Sequence, residues 1–288
     1  MYKCLFPWAV GITASNLDEA IRAAQIGGFD GVEFSPVEVA DLVEAHGPQY
    51  VIDRFAQTGI VPGGFGLPTE WRTEETAWRQ GLEALPRLAK AAAAIGCTRT
   101  TTWILSGDNT RPLEENRRFH VERFQPIARV LADAGIRLGL EFLGPKTLRD
   151  SFVHPFYSTM EPMLEMGREI GPNVGLLVDS WHWYTSGGTL ADLNALRPEQ
   201  VVYVHVNDAP VGVARDAQID SVRCLPGETG VIDIAGFLQA MRALRYDGPV
   251  TPEPFKKELH DLPSDEARLL AVGKAMDAIF TKAGIAVG

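Results

Sequence analysis

Three carboxylates and one imidazole from the middle of the chain onward each stand near the end of a short apolar run: Glu141 in "LGLEFLG", Asp179 in "LLVDSWH", His205 in "VYVHVND" and Glu253 in "VTPEPF". Apolar runs of this length read as buried strands. Side chains alternate along a strand, so Glu141 shares a face with Gly139, Asp179 with Leu177 and His205 with Tyr203. Three carboxylates crowded into one low-dielectric mouth repel one another and need protons or a cation at neutral pH. A divalent cation is the economical answer. Oxygen-rich ligation with one imidazole and no thiolate suits Mn²⁺ or Mg²⁺, with Co²⁺ or Zn²⁺ able to compete. Taken singly, each residue also has a structural reading. Asp179 could cap a helix, His205 could be a satisfied core histidine, and Glu141 or Glu253 could pair with Lys or Arg. Together at four successive strand ends, they favour a metal site.

Positioning these groups requires a frame that brings four strand ends together. Candidate strands recur at Ala9–Thr13, Gly31–Ser35, Ile60–Gly66, Arg99–Leu105, Arg137–Leu143, Val174–Asp179, Val201–Asn207 and Val250–Glu253. Between them, apolar spacings of three and four predict helices over Asn16–Ile26, Gln49–Gln57, Thr76–Ala94, Glu115–Ala134, Pro155–Ile170, Leu190–Leu196, Ile234–Leu244 and Ser264–Lys282. Asn16 with Glu19, and Ser264 before "DEA", look like helix starts. Gly27-Gly28, Gly59, Gly96, Gly135 and Gly171 fall where helices must stop. Eight strand–helix units predict one (β/α)8 barrel spanning 1–288, with reacting groups at the carboxyl ends of the strands. An open doubly wound sheet is the minority alternative, and "VGITASN" lacks the glycines of a dinucleotide-binding turn.

The net charge of −10 gives no footprint for phosphate backbones or anionic membranes, so neither nucleic acid nor membrane is an expected partner. No signal peptide is apparent at "MYKCLFPWAV", which predicts a cytoplasmic protein. Cys4, Cys97 and Cys224 fit no CxxC pattern and read as reduced, packed thiols.

The sequence of Glu, Asp-x-x-His, His and Glu at these strand ends resembles the xylose isomerase-like barrel superfamily of sugar epimerases, isomerases, inosose dehydratases and related lyases. The resemblance runs from "AVGITASNLDEAIRAAQIGGFDGVEFSP" through "DSWHWY" and "VHVNDAP" to "TPEPF". It implies Glu141, Asp179, His205 and Glu253 as ligands of one divalent metal, with Glu141 and Glu253 also the acid–base pair. It further implies His182 as a substrate contact, with Trp181 or Trp183 a flat wall for a sugar ring; packing is the competing role of the tryptophans. Arg223 resembles the arginine that follows the metal-binding histidine in relatives, although it stands farther from that histidine than is usual there, and Arg215 competes for the part. Lys146, His154 and Trp103 complete the substrate-binding candidates, and Glu33 lines the mouth or supports the ligands.

The implied reaction is isomerisation or epimerisation of a sugar, keto-sugar or inositol derivative through a metal-stabilised enediolate. Loss of a β-oxygen from the same intermediate would make the protein a dehydratase or an eliminating lyase. A phosphodiester-cleaving endonuclease of this superfamily would carry several zinc ions and many histidines, and this chain has six His in all. Two-metal xylose isomerases have further acidic and lysine ligands that have no counterpart here. A non-catalytic sugar-binding barrel would have no use for two opposed carboxylates. The expected partner is a small carbohydrate or cyclitol, and the family permits a homo-oligomer.

Overall fold

The computed structural model describes residues 1–287 and turns the alternation into eight barrel strands. They are β1 (Tyr2–Leu5), β2 (Gly31–Glu33), β3 (Val61–Gly66), β4 (Arg99–Ile104), β5 (Arg137–Phe142), β6 (Val174–Asp179), β7 (Val201–Val206) and β8 (Pro249–Pro252). All pair in parallel with their sequence neighbours, and β8 closes on β1 through Tyr2 opposite Pro249. The register sets Asp179 beside His205 and His205 beside Thr251, which brings the ends of these strands to one level. Among the described residues no helix is long and apolar enough to cross a membrane. All three cysteines are free and buried.

Asn16 caps the first helix, Leu17–Ile26, by accepting from the Glu19 N–H at 2.9 Å, and Ser264 caps the last, Asp265–Lys282, in the same way. Gly59, Gly96 and Gly135 take the left-handed conformation at helix ends, whereas Gly171 is extended.

Two expectations need correction. The first strand is Tyr2–Leu5, not Ala9–Thr13; Pro7 ends the extended run, and Trp8–Val10 form a 3-10 turn closed by Gly11 at φ 74°. Ala9, Val10 and Ile12 are buried, so their apolar character reflects burial rather than a ladder. A helix over Pro36–His46 was not expected, although Ser35 caps it and Pro36 occupies its first turn. Two short strands, Gly107–Asp108 and His154–Pro155, also pair outside the barrel.

Within the lumen Tyr203 lies under the ligands, and a Cβ on Gly64 would sit 2.7 Å from its ring. Its hydroxyl donates to Glu33 Oε1 at 2.9 Å and accepts from Thr251 Oγ1 at 3.1 Å. Outside the barrel, His120 packs among Trp71, Phe124 and Phe156, with Nδ1 donating to the Asn116 carbonyl at 2.7 Å. Burial pushes the His120 imidazole down to about 4. The unfolded chain therefore takes up a proton that the folded chain refuses. Stability is complete above about pH 6.5 and falls between there and pH 4, by on the order of 2–3 kcal/mol in all. Urea titrations across that range should show this component in the native protein and its loss in His120→Phe.

Candidate metal centre and active site

Glu141, Asp179, His205 and Glu253 converge at the carboxyl ends of β5 to β8, all buried. One donor atom from each lies within 4.8 Å of the other three. His205 Nδ1 is 3.6 Å from Glu141 Oε1 and 3.5 Å from Glu253 Oε2. Glu141 Oε1 and both ring nitrogens of His205 are buried without a hydrogen-bond partner in the chain. Buried polar atoms without partners are costly, and Glu141 Oε1 and His205 Nδ1 face each other among three carboxylates. A hard divalent cation fits that donor set.

The surrounding residues orient these four side chains. Asp179 accepts from the Trp181 N–H at 2.7 Å, so it also caps the short helix Ser180–Thr185. Asn207 Nδ2 donates to both Asp179 oxygens at 3.1 Å, while its Oδ1 accepts from the Glu253 N–H at 2.9 Å. Arg223 Nη1 donates to Asp179 Oδ2 at 3.1 Å and Glu253 Oε2 at 2.9 Å, and Nη2 donates to Asp220 Oδ1 at 3.0 Å. Such partners fix the rotamers of ligands before any cation arrives.

Burial and charge act against each other across the cluster. Burial pushes the Glu141 carboxyl up, and its neighbours His205 and His182 offset only part of this. Burial also opposes ionisation of Glu253, but His205 and Arg223 outweigh it and hold that carboxyl down to about 2. Burial disfavours a charged His205, yet Glu253 and Glu141 raise it well above its ordinary value. Glu33 is lifted to about 7, chiefly by burial.

His182 Nδ1 accepts from the Gly144 N–H at 3.1 Å, which leaves the proton on Nε2, 3.9 Å from Glu141 Oε1. Gly144 is required for this approach. A Cβ there would stand 2.3 Å from the His182 carbonyl and 2.6 Å from Thr185 Oγ1. Gly144→Ala should lower the unfolding free energy by about 1–3 kcal/mol in a denaturant titration.

A cavity of about 460 Å³ lies over the donors, and Glu33, Trp103, His182 and Arg223 line it together with three of the four ligands. Trp103 is half exposed there, with the Arg72 guanidinium 4.0 Å over its ring. Other expected residues lie elsewhere. Trp181 is fully buried beneath Arg223, its ring 5.4 Å from the guanidinium carbon, because the turn after β6 directs it into the core. Trp183 packs on Phe237 and donates to the Thr189 carbonyl. Packing accounts for both, and neither forms the expected wall. Lys146 begins the helix Lys146–Arg149 on the surface and pairs with Asp150. His154 sits in the short strand His154–Pro155 outside the barrel and does not line the cavity. Arg215 is exposed beside Gly187, so of these two arginines Arg223 is the one that lines the cavity, where Arg72 joins it.

Sequence reasoning missed Asn207 and Asp220, which hold Asp179 and Arg223, and the aromatic residues Phe6, Trp8 and Phe255 at the cavity rim. The stretch "VND" after His205 was the available signal for Asn207.

Fold and centre together define a closed parallel barrel with four buried side chains at its carboxyl end that could hold a cation. The chain belongs to the xylose isomerase-like TIM barrel family, whose model matches residues 21–277. A xylose isomerase domain protein from Alicyclobacillus acidocaldarius is 31% identical, superposes with a TM-score of 0.84, and is covered over 99% of its length by 98% of this chain. Inosose isomerase of Bacillus velezensis is 21% identical over 97% of this chain and 98% of its own. L-ribulose 3-epimerase of Methylomonas sp. is 23% identical over 88% and 84%. 3-Dehydroshikimate dehydratase of Pseudomonas putida is 24% identical over 87% of this chain but 38% of its own length.

Proposed function

We propose that this protein is a divalent-metal-dependent isomerase or epimerase of a sugar, keto-sugar or cyclitol derivative, with Glu141 and Glu253 as its acid–base pair. The observation that carries this reading is the placement of two buried glutamates about equally far from His205 Nδ1, at the floor of one cavity. A bound cation, Mn²⁺ first by the donor set, supplies positive charge to substrate oxygens that gain negative charge as a C–H proton leaves.

The chain's own groups do the rest. One glutamate removes the proton from the carbon beside a carbonyl, and the other returns a proton to the same carbon or its neighbour. Return from the opposite face inverts the centre; return to the neighbouring carbon moves the carbonyl. His182 presents Nε2–H towards Glu141, where it can donate to a substrate oxygen. Arg223 keeps Glu253 ionised and in place.

Removal of the same proton can instead expel a β-oxygen, giving a dehydratase or lyase. Similarity to 3-dehydroshikimate dehydratase over 87% of this chain supports that second reading.

Incubation of Mn²⁺-loaded protein with ketoses, 3-keto-glycosides and inososes in D₂O, followed by NMR, tests the proposal. Deuterium should enter a C–H beside a carbonyl, with an inverted centre or a moved carbonyl. Exchange with loss of water or an aglycone would transfer the assignment to the lyase reading. Absence of exchange throughout the panel would overturn both.

A further inference from the structure

The cavity over the metal donors does not end at the barrel wall. A second cavity of about 620 Å³ adjoins it, and the two share Phe6, Trp8, Glu33 and Gly66 as lining. We propose that the substrate has two rings: the reacting sugar or cyclitol ring above the four donors, and a flat, largely apolar ring, joined through an ether or glycosidic oxygen, in the second cavity against Trp8. This deepens the proposed function and rests on it for the contents of the first cavity.

The second cavity excludes an anion. No Lys, Arg or His lines it, while Glu33 and Glu38 do. Two helix starts face it, and helix starts ordinarily attract phosphate. Here three of their N–H groups are already engaged: Glu19 N–H by Asn16, Glu38 N–H by Ser35, and Leu17 N–H by Glu38 Oε1 at 2.9 Å. The same bonds engage Asn16 Oδ1, Ser35 Oγ and one oxygen of Glu38. What remains is largely apolar wall, including Ile12 and Phe34, which suits a ring recognised by shape.

Trp8 supplies the stacking surface. It is 69% exposed, with its ring 5.5 Å from Phe255 and 5.9 Å from Phe6. Its turn is held in place, since the Gly11 carbonyl accepts from Arg268 Nη1 at 2.7 Å and a Cβ on Gly11 would lie 2.7 Å from His260 Cε1. A preformed surface avoids the ordering cost that a mobile loop would add to binding. Glu33 stands at the junction, with Oε1 held by Tyr203, where the oxygen linking two rings would pass.

The test uses phenyl and methyl D-glucopyranosides of both anomers, titrated calorimetrically into the Mn²⁺-loaded full chain. One anomer of the phenyl glycoside should bind about tenfold more tightly than its methyl counterpart, the worth of burying and stacking one ring. Ser15→Trp, an exposed loop position on the second cavity, should erase that ratio, and Trp8→Ala should reduce it. Should Ser15→Trp fail to fold, Trp8→Ala decides. Equal binding of phenyl and methyl forms, including no measurable binding of either, or an unchanged ratio in these variants, would overturn the proposal. Paramagnetic relaxation separates it from the function on which it rests. Sugar protons should relax faster than aryl protons in the Mn²⁺ complex. A phenyl advantage that depends on Trp8 without relaxation of the sugar protons would sink the metal reading and leave the second cavity standing.

Discussion

Glu253→Gln should reduce kcat by about a thousandfold while the protein remains folded, the scale of losing one positioned acid–base group. The amide is nearly isosteric, and its oxygen can still accept from Arg223 Nη1, which donates to Glu253 Oε2 at 2.9 Å. The Glu253 backbone stays tied to Asn207 Oδ1. What disappears is a charge and a proton acceptor. Weaker metal binding would lower activity for a different reason, so the comparison belongs at saturating Mn²⁺ with metal content measured. The defect should persist there. A variant that regains a tenth or more of native kcat once loaded would show that Glu253 only holds the metal.

Arg223→Met should lower the unfolding free energy by about 3–5 kcal/mol, because the carboxylates of Asp179, Glu253 and Asp220 would lose their shared buried cation. That is a large part of the total stability of a typical domain. Mn²⁺ should restore a portion of it by supplying positive charge to two of the same carboxylates, Asp179 and Glu253. Denaturant titrations with and without Mn²⁺ measure both effects. Native-like stability of metal-free Arg223→Met would mean that the acidic cluster is neutralised by protons instead.

The barrel and the convergence of the four donor side chains were legible because both rest on short-range regularities. Strands buried on both faces read as continuous apolar runs, and a charged residue ending such a run has few places to go except the mouth. Glu141, Asp179, His205 and Glu253 all obey that rule. The strand at Ala9–Thr13 failed because burial of an irregular loop leaves the same apolar mark as burial of a strand. The tryptophans of "DSWHWY" failed for a related reason. Their helix is only six residues long, and alternation along β6 gives no forecast of which way it turns its side chains. Trp8 and Phe255 belong to loops on opposite sides of the strand closure, so their contact is set by the barrel and not by local sequence.

Calorimetric titration of metal-stripped protein with Mn²⁺ tests the central assignment most directly. One ion per chain should bind, with protons released as His205 and Glu141 give up theirs to ligate. The heat should be lost in an Asp179→Asn, Glu253→Gln double variant that remains folded by circular dichroism. No binding by the native chain, or undiminished binding by that variant, would contradict a metal centre built from these four residues.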